Sequence, residues 1–224
     1  MLESLSEFFS QYSDLLFQGT TDTLVAVGVS TFFAYILGTA LAVVLKITAP
    51  GSLKPQAVVN AVIGWVVNMG RSIPFIILMV LLIKLSRVIV GTSIGVKGSL
   101  VPLTIGAAPF IARLVVSSFD EVSPGQVEAA QAFGASTWQI IYKVYLRESL
   151  PSLVRGAAIA LITLIGYQAI MGAFGGGGLG DVAVRYGYHR FKPDVMLAAV
   201  VILIVLVQIL QTVADKVARH IDKR

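Results

Sequence analysis

The chain has 224 residues, of which 56% are hydrophobic and only 13% charged, with a mean hydropathy of +0.86 and a formal net charge of +5. Soluble domains carry about 25% charged residues, so this composition excludes an ordinary soluble fold and indicates an integral membrane protein of one domain. Cysteine is absent and histidine occurs twice, which excludes disulfides and thiolate chemistry and leaves little from which to build a metal site. In a chain this apolar, the excess of Lys and Arg marks topology rather than a nucleic-acid partner.

The first 19 residues open acidic, with Glu3, Glu7 and Asp14, unlike a secretory signal. Leu2, Leu5, Phe8, Tyr12 and Leu15 recur at helical spacing. They predict a short helix whose apolar face either lies in the membrane interface or packs on the rest of the protein.

Five apolar segments follow. Thr23–Leu45 is uncharged for 23 residues, and about 20 suffice to span a bilayer. Pro55–Ile83 is interrupted by Arg71-Ser72-Ile73-Pro74; proline removes a backbone donor and disfavours helix at the residue before it, so a break or kink is expected there. Gly98–Phe119 contains Pro102, Pro109 and, toward its end, Arg113. Gly156–Gly180 is uncharged and ends in Gly175-Gly176-Gly177-Gly178, and Val195–Ala214 lies between Asp194 and Asp215. An all-α protein with five transmembrane helices is expected, with residues 1–19 as a separate N-terminal segment, 20–216 as the membrane domain and 217–224 as a tail.

The first 22 residues hold no Lys or Arg, whereas the last ten hold Lys216, Arg219, Lys223 and Arg224. With five spans, the positive-inside rule places the N-terminus outside and the C-terminus in the cytoplasm. Nine basic residues then fall in cytoplasmic pieces and six in external ones. That bias is weak, so the asymmetry of the two ends decides. Residues 120–151 become cytoplasmic.

That stretch cannot itself cross the bilayer. Glu128, Lys143, Arg147 and Glu148 interrupt it, and each charge at mid-membrane costs roughly 2.5–3.5 kcal/mol. Its residues read instead as two short helices meeting in an elbow. Ser123, Pro124 and Gln126 form an S-P-x-Q start with a capping box. Gly134 supplies a residue free to take positive φ and end the first helix. Ser136-Thr137-Trp138-Gln139 repeats the capping box and starts the second.

Four other features carry weaker signals. Gly175–Gly180 formally contains G-x-G-x-x-G, but it follows an apolar helix rather than a strand, so a tight turn is expected in place of a nucleotide site. Ser72, Pro74 and Pro109 put small residues and prolines inside spans, which serves either close helix packing or a bending translocation path. Tyr167, Gln168 and Met171 share one helical face, and the two polar groups either line that path or satisfy each other across helices. Asp181–Lys192 alternates bases with aromatics, a mixture suited to an interface anchor or to steering a partner. No internal repeat and no acid at a segment centre supports an ion-driven mechanism.

The elbow resembles the cytoplasmic EAA loop of ATP-binding-cassette importer permeases. Glu128-Ala129-Ala130, Gly134, Val144 and Leu146 fit that pattern, while Arg147 stands where the family has proline and Leu150-Pro151 follows one turn later. The runs R-S-I-P-F-I-I-L (71–78), V-I-V-G-T-S-I-G (88–95), G-A-A-P-F-I-A-R (106–113), G-G-G-G-L-G-D (175–181) and R-Y-G-Y (185–188) are similar to those of methionine importer permeases.

The resemblance implies a type I importer permease fold in a bacterial inner membrane and transport of D- and L-methionine by alternating access. Glu128, Ala129, Ala130, Gly134 and Trp138 would form the coupling surface for an ATPase. The implied partners are a second copy of the chain, ATPase subunits carrying ATP and Mg, and an extracytoplasmic methionine-binding lipoprotein. No cofactor and no catalysis are implied on this chain. A permease for another small solute, or a membrane subunit without ATP coupling, are the alternatives, because no residue visibly selects a thioether.

Overall fold

The computed structural model describes residues 2–221 and is helical almost throughout, with no strand among the described residues. The long helices are α1 (Leu2–Thr48), α2 (Ala57–Ser72), α3 (Phe75–Val90) and α4 (Gly95–Asp120). The elbow contributes α5 (Pro124–Ala132), α6 (Thr137–Ile140), a π-helical turn Ile141–Tyr145 and α7 (Leu146–Glu148). Then come α8 (Leu150–Ala173), α9 (Gly178–Val182), a second π turn Ala183–Tyr188, and α10 (Pro193–Ile221). Residues 222–224 of the expected tail, with Lys223 and Arg224, lie outside the described residues.

Ser10–Thr48, Gly95–Asp120, Leu150–Tyr188 and Pro193–Ile221 are each long and apolar enough to cross a membrane, and α2 with α3 makes a fifth span when read as one broken helix. The break falls where the sequence predicts it: Ile73 is extended at φ −79° and ψ 123°, immediately before Pro74. The N-terminal segment differs from expectation. It is no separate short helix but the first turns of α1, which runs for 47 residues without interruption.

Contacts divide the chain into two units. One comprises residues up to Phe32, Pro74–Ile105 and Leu161–Leu210; the other comprises Phe33–Ile73, Gly106–Ala160 and residues from Gln211 on. In the first unit Leu16, Leu179, Val182, Val195 and Ala199 form a buried cluster, and Phe8, Tyr12, Leu15 and Tyr186 pack against it. From Phe8 onward the apolar face of these turns therefore packs on protein, while the side chains of Leu2 and Leu5 lie outside the described residues. In the second unit Leu45, Val67 and Ala112 are buried together, flanked by Leu41, Ile63 and Val116. Ala107, Ala108, Ile111 and Ala112 on α4 are likewise buried, as expected where small side chains let membrane helices approach closely.

The glycine run forms a tight turn. Gln168 Nε2 donates to the carbonyls of Gly176 and Gly177 at 3.1 and 3.2 Å, and Gly95 N donates to Gly175 O at 2.7 Å. Thr23 Oγ1, buried in α1, accepts from Leu179 N at 2.9 Å. These bonds satisfy backbone groups that water cannot reach inside a membrane.

Candidate functional site

The elbow lies wholly within the second unit. Its base is tied down and its tip is free. At the base Phe119, Val122, Ile140, Ile141 and Tyr145 are buried, and the rings of Phe119 and Tyr145 meet at 5.4 Å. Lys46 Nζ pairs with Asp120 at 2.5 Å and lies 5.3 Å from the centre of the Tyr145 ring. Ser152 Oγ donates to Glu121 Oε1 at 2.6 Å. The ends of α1 and α4 are thus held to the second leg of the elbow through Tyr145, and the start of α8 is held to the residue that follows α4.

The turn between the legs is a Schellman motif. Ala135 N donates to Ala130 O at 3.0 Å and Gly134 N to Gln131 O at 2.9 Å, and Gly134 has φ +77°. This 6→1 and 5→2 pairing closes a helix whose next residue is left-handed. Two residues later the second leg opens with the complete capping box: Gln139 N donates to Ser136 Oγ at 3.3 Å and Ser136 N to Gln139 Oε1 at 2.8 Å.

The first capping box does not form. Pro124 occupies the opening turn of α5 as expected, but Ser123 makes no side-chain cap. Gln126 turns away instead, and its Nε2 donates to Glu148 Oε2 at 3.2 Å. That bond cross-braces the first leg to the second.

Helix α5 has no buried residue. Glu128, Ala129, Gly134 and Trp138 are exposed and Ala130 is half-buried. Phe133 is 92% exposed, Trp138 72% and Tyr142 68%. Trp138 and Tyr142 stand four residues apart, on one face of the second leg. A helix of nine residues is too short to be stable by itself in water, where about 12–15 residues are marginal. Phe133, Trp138 and Tyr142 add exposed apolar area in a segment outside the spans, suited to cover by a partner. Phe133 and Tyr142 are the members that sequence reasoning missed. Tyr142 was legible as the i+4 neighbour of Trp138, whereas the exposure of Phe133 follows from the turn geometry alone.

The six path residues are divided between the two units. Ser72 is exposed, its Oγ donating to Asn68 O at 2.8 Å, and Pro109 packs half-buried on Gly70. In the other unit Pro74 is exposed, and Tyr167 stacks on Phe75 with ring centres 4.1 Å apart and planes 2° from parallel. Gln168 and Met171 are buried, Gln168 on the glycine turn. Tyr167 and Gln168 therefore have separate partners and do not satisfy each other. In the basic-aromatic segment Arg185 pairs with Asp181 at 2.6 Å, while Tyr188 and Phe191 are exposed.

Residues 34–224 match the family described as "Binding-protein-dependent transport system inner membrane component". The probable D-methionine transport system permease protein MetI of Vibrio cholerae serotype O1 is 47% identical over 221 residues, 99% of this chain and 98% of that one. The methionine import system permease protein MetP of Bacillus subtilis is 46% identical over 180 residues, 80% of this chain and 81% of that one. A chain of the MetNI methionine ABC transporter, solved in inward-facing conformations, superposes with a TM-score of 0.93 at 45% identity, covering 95% of this chain and 99% of that one. Matched over most of its length, with the helical content and apolar spans such a protein requires, this chain belongs to the family of inner membrane components of binding-protein-dependent transport systems.

Proposed function

We propose that the chain is the permease subunit of an ATP-driven methionine importer, with the elbow as its ATPase-docking surface. The observation that carries this reading is α5, a short helix with no buried residue, held beside three exposed aromatics on a base that is itself firmly anchored. Glu128, Ala129, Ala130, Gly134 and Trp138 contact the ATPase subunit. Two copies of the chain enclose the path, ATP and Mg bind the ATPase pair, and a methionine-binding lipoprotein delivers D- or L-methionine from outside. ATP and substrate favour different conformations, and the elbows carry that difference to the spans. Ser72, Pro74, Pro109, Tyr167, Gln168 and Met171 belong to the path or to the packing that bends with it. Identity of 47% to a probable D-methionine permease over nearly the whole chain supports the substrate.

Reconstituted into vesicles with its ATPase and binding protein, the permease is expected to accumulate labelled methionine only when ATP is supplied. Flux without ATP, or uptake that excess unlabelled methionine leaves untouched, would contradict it.

In this reading residues 1–19 start outside, residues 20–216 form the membrane domain with the coupling loop at 120–151 inside, and residues 217–224 end in the cytoplasm. The chain contains no cysteine, so single cysteines report topology without background. His189→Cys is expected to react with an impermeant maleimide in spheroplasts, and Ser136→Cys only after permeabilisation. External labelling at position 136 would remove the elbow from reach of any ATPase.

A further inference from the structure

The second unit contains a cavity of about 360 Å³ lined by Lys46, Asn60, Arg113, Val116, Asp120 and Tyr145 among others. Its size falls in the range of about 300–1,000 Å³ usual for small-molecule sites. Lys46 is already committed, paired with Asp120 and set over the Tyr145 ring. Arg113 is different. It sits seven residues before the end of α4, half-buried, with Nη2 donating to Asn68 Oδ1 at 2.7 Å and Nε buried without a partner. Among the described residues no carboxylate forms an ion pair with it.

A guanidinium in a spanning helix cannot shed its proton, so it requires a counter-charge. The rest of the cavity indicates which anion. Asn60 spends its amide nitrogen on Leu45 O at 2.8 Å and Thr48 Oγ1 at 3.0 Å, which leaves its oxygen as an acceptor. That oxygen suits an ammonium, while Leu45, Val116 and the Tyr145 ring give an apolar wall.

We propose that this cavity, in the same unit as the elbow, is a substrate site in which Arg113 binds the carboxylate of a zwitterionic amino acid. The inference rests on the reading of the chain as an amino-acid importer permease.

The test uses the assembled transporter in vesicles with Val116→Cys as the only cysteine and a small thiol reagent as probe. L-Methionine and 3-(methylthio)propionate, which keep the carboxylate, are expected to slow labelling about tenfold at ten times their half-protecting concentration. Methioninol, which lacks the carboxylate, is expected to leave labelling unchanged. Arg113→Gln should weaken protection by tenfold or more, roughly what losing a charged hydrogen bond implies, and Arg113→Lys should restore part of it. The ligand series decides the matter even if Arg113→Gln fails to assemble.

Equal protection by methioninol, or no protection in a transporter that imports methionine with ATP, overturns the site. Labelling that follows anionic lipid content and ignores carboxylates assigns the cavity to a lipid phosphate and overturns it as well. Failure of the parent transporter to take up methionine at all strikes the importer reading first and withdraws this site with it.

Discussion

Gly134→Val is expected to reach the membrane and form dimers at near-parental levels, yet to retain little ATPase and lose most ATP-driven uptake. The turn demands φ +77° at this position, and a methyl there would meet nothing within 4 Å. Crowding is therefore not the problem; the backbone is. Holding a β-branched residue in the left-handed region costs about 1–3 kcal/mol. Relaxing to negative φ would relieve that strain but break the bonds from Gly134 N to Gln131 O and from Ala135 N to Ala130 O. Either way the angle between the legs changes, and Glu128 and Ala129 shift relative to Trp138 and Tyr142. Helix α5 has no buried residue, so the fold survives. Ala129→Leu should give the same split. Ala129 is exposed in the isolated chain, and added bulk there is felt only where a partner covers it, at a cost of about 1–3 kcal/mol for an overpacked contact. Membrane expression, co-purified ATPase and uptake measured on the same preparations separate these effects. Parental uptake by Gly134→Val with a full complement of ATPase would sink the coupling role.

Gly180→Val should fail in the opposite way, with loss of folded protein rather than loss of coupling. A methyl at Gly180 would lie 2.3 Å from Ala169 O and 2.6 Å from Ala169 Cα, and one at Gly172 would lie 2.2 Å from Asp181 N. At this hairpin α8 and α9 touch backbone to backbone, so no side chain can rotate out of the way. Relief requires the helices to separate, which strains the bonds of Gln168 to the glycine turn and of Leu179 N to Thr23. Overpacking of this kind costs at least about 1–3 kcal/mol, and the freed polar groups inside an apolar unit add to it. The solubilised variant should melt several degrees below the parent and accumulate poorly in membranes. A Gly180→Val protein with the parental melting point would mean that close contact of α8 and α9 is dispensable.

What the sequence reveals of this fold follows from how local each determinant is. Pro74 acts on its own backbone and on Ile73, so the break at that point is readable from four residues. Gly134 and the Ser136–Gln139 box are equally local, and both form as expected. Ser123 and Gln126 carry the same signature as Ser136 and Gln139, but Glu148 lies within reach of Gln126, and that contact joins residues 22 positions apart. The junction after residue 19 reads as a boundary because acidic residues precede it and an uncharged run follows from Thr23. It is helical because the turns before it pack on Leu179 and Val195, with the Thr20 hydroxyl turned back onto Leu16 O of its own helix. Gln168 looks from its spacing like a path residue, yet it is bonded to a turn eight and nine residues downstream. Arg113 stands out in sequence only as a charge in a span; Asn68 comes from another helix, and the cavity beside Arg113 is lined from several elements.

Photo-cross-linking from position 138 tests the central claim most directly, because Trp138 is both exposed and on the face expected to meet the ATPase. The transporter is assembled with a benzoylphenylalanine in place of Trp138, irradiated in vesicles with and without ATP, and the products separated by mass. The expected product joins this chain to the ATPase subunit, in a yield that changes when ATP is added. Cross-links only to lipid or to a second copy of this chain, in a preparation that still contains the ATPase, would contradict the elbow's role as the coupling surface.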